Sequence, residues 1–431
     1  MRRSGHAAQI APSAQDSLKK TSRFQVASTV TVTDDPTKIV CAPQASEINV
    51  DGDIAQVRDK YESVMEIIRR EYLRQHSDPW VVAYSGGKDS TLLLQMTWEM
   101  LTSLSSVDRK REIHIVGNDT LVESPLVIRH LRKTLAAIAT AAISCNLPVK
   151  THITKPHVDQ TFWVNVIGRG YIPPTRNFRW CTDRMKILPT NQLLQTIVRI
   201  HKRAVLLVGT RKSESANRRR NMEKREVSGS NMNPHSSIEG CSMFAPLADF
   251  EDRDVWLVLM QRKPPWGGTH RDLITLYRNG GGGECPLVLS KEDAPSCGTT
   301  SPRFGCWTCT VVNKDRSLRG LIDSGHEDAD VFECLFDFRE WLIELREDDR
   351  NRQRVRRNGE VKLRADGTPV MGPFTLEVRK QILVQLQVLE AETGKELISR
   401  SELEVIYDIW RRDQVSEDCR MALHDAAISG I

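Results

Sequence analysis

The chain has 431 residues, 39% of them hydrophobic, and a formal net charge of +5. That length and apolar share suit one large α/β domain with a smaller part appended. No run of about eighteen apolar residues occurs, so no membrane-spanning helix is expected, and the mild basicity permits a polyanionic partner without requiring one.

In chain order, residues 1–45 hold basic residues near the start but no apolar signal-peptide core, so a disordered leader and a cytoplasmic location are expected. From about residue 50, DIAQVRDKYESVMEIIRREYLRQ has helical apolar spacing. WVVAYS (80–85) reads as a buried parallel strand, and SGGKDSTLLLQMTWEML as a glycine turn feeding a helix. REIHIVGND (111–119) is a second strand. SPLVIRHLRKTLAAIATAAIS is a second helix, with Ser124 as N-cap and Pro125 in its first turn. VKTHITKP (149–156) and AVLLVGT (204–210) are further strands, with a helix over KILPTNQLLQTIVRIH between them. This alternation predicts a doubly wound parallel α/β sheet over 46–260. After residue 240 the alternation is expected to stop, apart from a short helix in ADFEDRDVWLVLMQ. A cysteine-rich loop region is expected over 261–315, and a mostly helical part over 316–431. The latter is broken at 350–373 by a basic stretch with turn signals at Asn358-Gly359 and Asp366-Gly367, a β-ribbon or a mobile loop.

The strongest local signal is Ser85-Gly86-Gly87-Lys88-Asp89-Ser90. Two glycines let backbone N–H groups turn inward above a helix N-terminus, which makes an anion site. Ser85 and Ser90 add hydroxyls, Lys88 adds charge, and Asp89 orients the loop or approaches magnesium. The spacing is not that of a Walker A loop.

SGGKDS resembles the loop of the ATP-pyrophosphatase superfamily, and the landmarks after it resemble the phosphoadenylylsulfate-reductase branch. These are Asn118-Asp119-Thr120 with Glu123 and Pro125, then Arg179-Trp180-Cys181-Thr182 with Lys186 and Pro189. Next come Gly209-Thr210-Arg211-Lys212-Ser213-Glu214-Ser215 with Arg218, then Phe244-Ala245-Pro246-Leu247 with Asp254-Val255-Trp256. The resemblance implies the adenine-nucleotide α-hydrolase fold with ATP and Mg2+ on residues 85–90. It places Asn118, Asp119 and Thr120 near the adenosine, and Gly209, Arg211, Glu214 and Arg218 near the phosphates or the substrate anion.

Cys285, Cys297, Cys306 and Cys309 cluster within glycine- and proline-rich sequence, the last two as a CxxC. Four thiolates suit zinc or an iron–sulfur cluster, and the single knuckle favours the cluster. Arg303-Phe304-Gly305-Cys306-Trp307-Thr308-Cys309-Thr310-Val311-Val312, followed by Lys314-Asp315, resembles the DndC family of DNA phosphorothioation sulfurtransferases. That resemblance implies a 4Fe–4S cluster on the four cysteines and adenylylation of a DNA backbone phosphate before sulfur replaces a nonbridging oxygen. It also implies a cysteine desulfurase as sulfur donor, with an SMC-like ATPase and a small DNA-binding protein as partners. Lys88, Asp89, Cys181 and Arg211 are the candidate catalytic residues. Cys181, between Arg179 and Arg184, is expected to favour the thiolate and to be a possible persulfide carrier. The basic stretches 202–225 and 350–364 are candidates for DNA backbone contact, and the absence of interleaved Phe or Trp argues against base stacking there.

Four other readings stay open: a sulfonucleotide reductase or sulfate-activating enzyme, an RNA-thiolating ATP pyrophosphatase, a regulatory nucleotide-binding module with structural zinc, and a single-strand-nicking relative with similar ATP chemistry. The reductase reading is weakened because Cys419 sits in Glu417-Asp418-Cys419-Arg420 rather than in an E-C-G-x-H tail, and because Thr182 follows Cys181 where the iron–sulfur type has a second cysteine.

Overall fold

The computed structural model describes residues 52–280, 305–312, 315–323 and 325–429. The expected leader, and Cys285 and Cys297, lie outside the described residues. Six strands run β1 Trp80–Ala83, β2 Ile113–Asn118, β3 Val149–Thr154, β4 Ala204–Leu207, β5 Met232–Pro234 and β6 Cys241–Phe244. Around them come α1 Gly52–Tyr72, α2 Lys88–Ser103, α3 Pro125–Ser144, the single turn α4 Trp180–Thr182, α5 Leu188–His201 and α6 Ala216–Arg225. The chain continues through α7 Asp252–Gln261, α8 Arg271–Gly280, α9 Arg316–Asp323, α10 Ala329–Glu347, α11 Leu376–Thr393 and α12 Arg400–Ser429.

The sheet order is β3-β2-β1-β4-β6-β5, parallel except for β5 at one edge. Side chains of β1 alternate between faces, as a pleated strand requires. Trp80 and Val82 join the core that holds α1, α2 and α3, whereas Val81 and Ala83 join the core under α5. Both faces of β1 are thus covered, which is why WVVAYS reads as a continuous apolar run. The expected end of alternation at residue 240 does not hold. Cys241–Phe244 is a parallel strand beside β4, and Met232–Pro234 pairs antiparallel on its outer side. Both segments are short, and their Cys, Ser, Asn and Pro residues mask the apolar pattern.

A further apolar cluster joins the segment 162–185 to α9, α10, α11 and α12, with Phe162, Trp163, Trp307, Phe332, Phe338, Phe374 and Ile406 among its buried members. Residues 350–373 are neither a regular ribbon nor a free loop. Isolated antiparallel bridges join Arg352 to Phe374 and Leu363 to Pro369. Gly359 and Gly367 take the left-handed backbone that the two turn signals imply, with φ of +83° and +81°. Among the described residues, no helix is long and apolar enough to cross a membrane.

Candidate nucleotide and cysteine site

Order reverses between β1 and β4, since β1 leads by way of α2 to β2 on one side while β4 lies on the other. The crevice at the carboxyl ends of such strands is where an open α/β sheet takes its ligand. Ser85–Ser90 follows β1 at that point, and Gly209–Ser215 follows β4.

Gly86 has φ +80°, so the loop turns where a side chain would be strained. Gly87 is the N-cap of α2 and supplies no side-chain cap. The first-turn N–H groups and the positive end of the helix dipole therefore face the crevice. Ser85 Oγ and Ser90 Oγ are 3.0 Å apart, Ser90 Oγ donates to Gly87 O at 3.0 Å, and the Gly87 N–H reaches Ser85 Oγ at 3.4 Å. These bonds fix the loop from inside.

The charged residues converge on one cluster. Lys88 Nζ lies 3.1 Å from Asp89 Oδ2 and 3.2 Å from Asp252 Oδ1. Arg211 Nε lies 2.5 Å from Asp89 Oδ1, and its Nη2 lies 3.0 Å from the same Asp252 oxygen. Both cations are nearly buried, with side-chain exposures of 7% and 3%, whereas Asp252 is 65% exposed. Burial alone would lower the Arg211 pKa, but Asp89, Glu214 and Asp252 outweigh it and raise it. Glu214 Oε1 accepts from the Arg211 backbone N–H at 2.7 Å, and its other oxygen pairs with Arg218. Burial nevertheless raises the Glu214 pKa, with Arg218 opposing. Gly209 is required by close approach, because a Cβ there would sit 2.9 Å from Asp89 O and 3.1 Å from Ser90 N. A cavity of about 410 Å³ adjoins this loop system, lined by Thr210, Arg218, Ala245 and Pro246 among others.

Sequence reasoning misses two members of the site. Asp252 bridges Lys88 and Arg211, although its segment reads only as an acidic helix start. Tyr277 on α8 accepts from the Lys88 backbone N–H at 3.3 Å, and Lys88 Nζ sits 5.4 Å from the Tyr277 ring centroid. The amphipathic spacing of RDLITLY is the available signal for α8.

Asn118, Asp119 and Thr120 end β2 but make a different set of contacts. Asn118 donates to Lys186 O at 3.1 Å, and Asp119 pairs with Arg132 at 2.7 Å. Thr120 donates to Glu123 at 2.9 Å and lies 3.4 Å from Cys306 Sγ. The cysteine knuckle docks here. Ser124 N–H donates to Gly305 O, Trp307 N–H donates to Val122 O, and Glu123 bridges to Cys306. Ser124 holds the N-cap position of α3 without a side-chain cap bond. Lys186, on the π turn Asp183–Ile187, reaches Glu123 at 3.2 Å.

Cys309 lies within electrostatic range of both Cys181 and Cys306 here. Burial raises the pKa of both Cys181 and Cys306, and Cys309 adds to each, so the CxxC and the isolated Cys181 share one electrostatic neighbourhood. This environment disfavours the thiolate expected at Cys181. Burial pushes its thiol up to about 12, and the opposing Lys186 and Arg179 do not offset it. Among the described residues, no group of three His, Cys, Asp or Glu side chains is arranged to hold a metal ion. The soft sulfur donors of Cys306 and Cys309 still suit an iron–sulfur group in kind.

Residues 79–312 match the family model for the phosphoadenosine phosphosulfate reductase domain, more than half of the chain. The chain belongs to that family. The phosphoadenosine phosphosulfate reductase domain here has the adenine-nucleotide α-hydrolase fold, with a mostly parallel six-stranded sheet and a helical C-terminal part. The chain is 24% identical over 211 residues to an uncharacterized protein of Methanocaldococcus jannaschii, across 49% of this chain. It thereby spans 37% of that curated relative's length. Phosphoadenylyl-sulfate reductase from Candida auris, solved as a phosphate complex, aligns at 14% identity and TM-score 0.30, over 50% of this chain and 89% of that one. The U34-tRNA thiolase NcsA of Methanococcus maripaludis, solved with its [4Fe-4S] cluster, aligns at 11% identity and TM-score 0.33, over 70% and 88%.

Proposed function

We propose that this member of the phosphoadenosine phosphosulfate reductase domain family is an ATP-dependent sulfurtransferase that modifies DNA as a phosphorothioate. The observation that carries the reading is the convergence of Lys88 and Arg211 at the mouth of the Ser85–Ser90 loop. Two nearly buried cations beside a helix N-terminus suit a triphosphate whose α-phosphorus is to be attacked by another anion.

In the proposed reaction, ATP binds with its phosphates on the loop N–H groups, Ser85, Ser90 and Lys88, and Mg2+ rides on the phosphates. A nonbridging oxygen of a DNA phosphodiester attacks the α-phosphorus. The bond to the β-phosphate oxygen breaks, and magnesium pyrophosphate leaves. Arg211 and Lys88 offset the charge that gathers as the two anions meet. Asp89 positions both cations rather than reacting. Sulfur at the sulfide level then attacks the adenylylated DNA phosphorus, and AMP leaves with the displaced oxygen. A cysteine desulfurase would supply the sulfur and a thiol the electrons. An SMC-like ATPase and a small DNA-binding protein are the proposed partners.

Cys306 and Cys309, with Cys285 and Cys297, are the residues proposed to hold a 4Fe–4S cluster, which would supply electron or sulfur handling when bound. Cys181 stands beside the knuckle, and the raised pKa of its half-buried thiol speaks against free nucleophilic service in this state.

A second reading, a sulfonucleotide reductase, is favoured by the family match itself. One assay separates them. The anaerobically purified chain, given ATP and magnesium, should release pyrophosphate in response to DNA, and AMP once sulfide is added. Sulfite formed from a sulfonucleotide at the expense of a thiol, with no pyrophosphate release in response to DNA, would sink the phosphorothioation reading and support the reductase.

A further inference from the structure

A second cavity, of about 430 Å³, is lined by Tyr171, Arg176, Phe178, Arg179, Trp180 and Arg184, together with the acidic Asp183. Its volume falls in the range of about 300–1,000 Å³ usual for ligand pockets. Its walls are braced by ring contacts and hydrogen bonds. Trp180 stacks on Phe162 with centroids 5.6 Å apart, and its indole N–H donates to Ile172 O at 3.0 Å. Tyr171 meets Trp180 edge-on at 5.6 Å. Thr175 and Phe178 exchange both backbone hydrogen bonds, at 3.1 and 3.2 Å, so Arg176 and Asn177 form the tip of a tight turn. The Thr175 hydroxyl accepts from the Phe178 N–H as well, at 3.1 Å. Phe178 is held by this turn with 43% of its surface exposed, 6.1 Å from the Tyr171 ring.

Guanidinium groups surround the rings. Arg184 lies 5.3 Å from the Tyr171 centroid and donates to its hydroxyl at 3.2 Å. Arg357, from the basic stretch 350–364, lies 5.9 Å from the same centroid. That stretch is moored beside the pocket, because Phe374 N–H donates to Gly170 O at 2.7 Å and Arg357 donates to Arg169 O. An exposed aromatic ring among arginines, as Phe178 is here, is the chemistry that takes an unstacked base and its phosphates. A paired duplex offers no free base face.

We propose that this pocket seats one unstacked base of a single-stranded DNA segment, with Phe178 as the stacking surface and Arg176, Arg179 and Arg184 on the flanking phosphates. The proposal rests on the reading of the chain as a DNA-modifying enzyme and adds the form in which the strand is presented. It also places stacking in the 171–184 segment, where the basic runs 202–225 and 350–364 give no sequence sign of it.

The test is fluorescence anisotropy of the full, anaerobically purified chain with a labelled oligodeoxynucleotide, alone and annealed, and with the matching oligoribonucleotide. The single strand should bind more tightly than the duplex. Phe178→Ala should weaken single-strand binding about tenfold and leave duplex binding unchanged. Arg176→Ala should lower the salt slope by about one. Titration with a non-hydrolysable ATP analogue is the folding control. Duplex binding as tight as single-strand binding, or a Phe178→Ala protein with undiminished single-strand affinity, overturns the pocket while DNA-stimulated pyrophosphate release would still stand. Preference for the ribo-oligonucleotide, lost on the same substitution, overturns DNA as the ligand. No affinity for any oligonucleotide, with sulfite formed from a sulfonucleotide and a thiol, overturns this proposal and the function beneath it.

Discussion

Asp89 Oδ1 lies 2.5 Å from Arg211 Nε, and this contact ties the loop after β1 to the loop after β4. Both side chains are nearly buried, at 9% and 3% exposure. Removing one partner of such a pair leaves charge in a poorly solvated place. Arg211→Ala should therefore cost about 3 kcal/mol in urea unfolding and weaken ATP binding at the same time. Arg211→Lys should recover little of either, since a single ammonium group cannot reach Asp89, Asp252 and Ser213 together. Wild-type stability in the alanine variant would show that the contact does not brace the crevice.

Lys88 faces the same crevice from the first turn of α2. Lys88→Ala should lower AMP formation by about 10²–10³-fold, the usual effect of deleting one preorganised electrostatic partner. Iron content and visible absorption should be retained. The check is pyrophosphate release alongside an iron count, and retained turnover would remove Lys88 from the reaction.

Asp252 holds Lys88 and Arg211 from the solvent side, in the place a phosphate oxygen would compete for. Because Asp252 is mostly exposed, the exchange is worth less than about 1 kcal/mol. Asp252→Asn should tighten ATP binding a few-fold and leave the unfolding free energy nearly unchanged. Calorimetric titration measures this directly, and weaker binding would mean that Asp252 assists the nucleotide instead.

Two buried histidines make stability depend on pH. Burial holds His270 down to about 4, with His130 adding to the effect, and holds His114 to about 4, with His152 adding. Both values lie below the ordinary 6.5. As pH falls, the unfolded chain takes up these protons first. The stabilisation is complete above 6.5, declines between 6.5 and 4, and levels off below that window. Each histidine contributes on the order of 2 kcal/mol. Urea unfolding at pH 7.5 and at pH 5 should reveal the loss, and His270→Gln should flatten it. An unchanged slope in that variant would assign the pH dependence to other groups.

Arg339 is fully buried on α10 and donates to Cys309 O at 2.8 Å and to Val312 O. Arg339→Met keeps the bulk of the side chain and strips two carbonyls of their donor. About 2 kcal/mol of stability should be lost, and Cys309 should react faster with a thiol reagent. Unaltered thiol reactivity would show that α10 does not hold the knuckle.

The central sheet is legible in the sequence because β1, β2 and β4 are buried on both faces and read as apolar runs. The edge is not. Met232–Pro234 and Cys241–Phe244 carry polar and small residues, and pairing partners far along the chain decide their conformation. The loop at 85–90 is legible because its glycines and flanking elements are local. Asp252 and Tyr277 are not, since nothing near either residue in sequence points to Lys88. The thiolate expected at Cys181 fails for a related reason. Neighbouring arginines are visible in sequence, whereas the burial that outweighs them comes from the fold.

The family-matched stretch ends at residue 312, yet its last turns are walled by α10, which lies beyond it. Arg346 donates to Pro174 O and Thr310 O, each at 3.0 Å, and Phe338 packs on both Trp163 and Trp307. A protein trimmed at the matched boundary would carry the whole signature and present these indoles to water. Expression of a core shortened at residue 312 should therefore yield aggregates, and a soluble, folded fragment would show that α10 is dispensable to it.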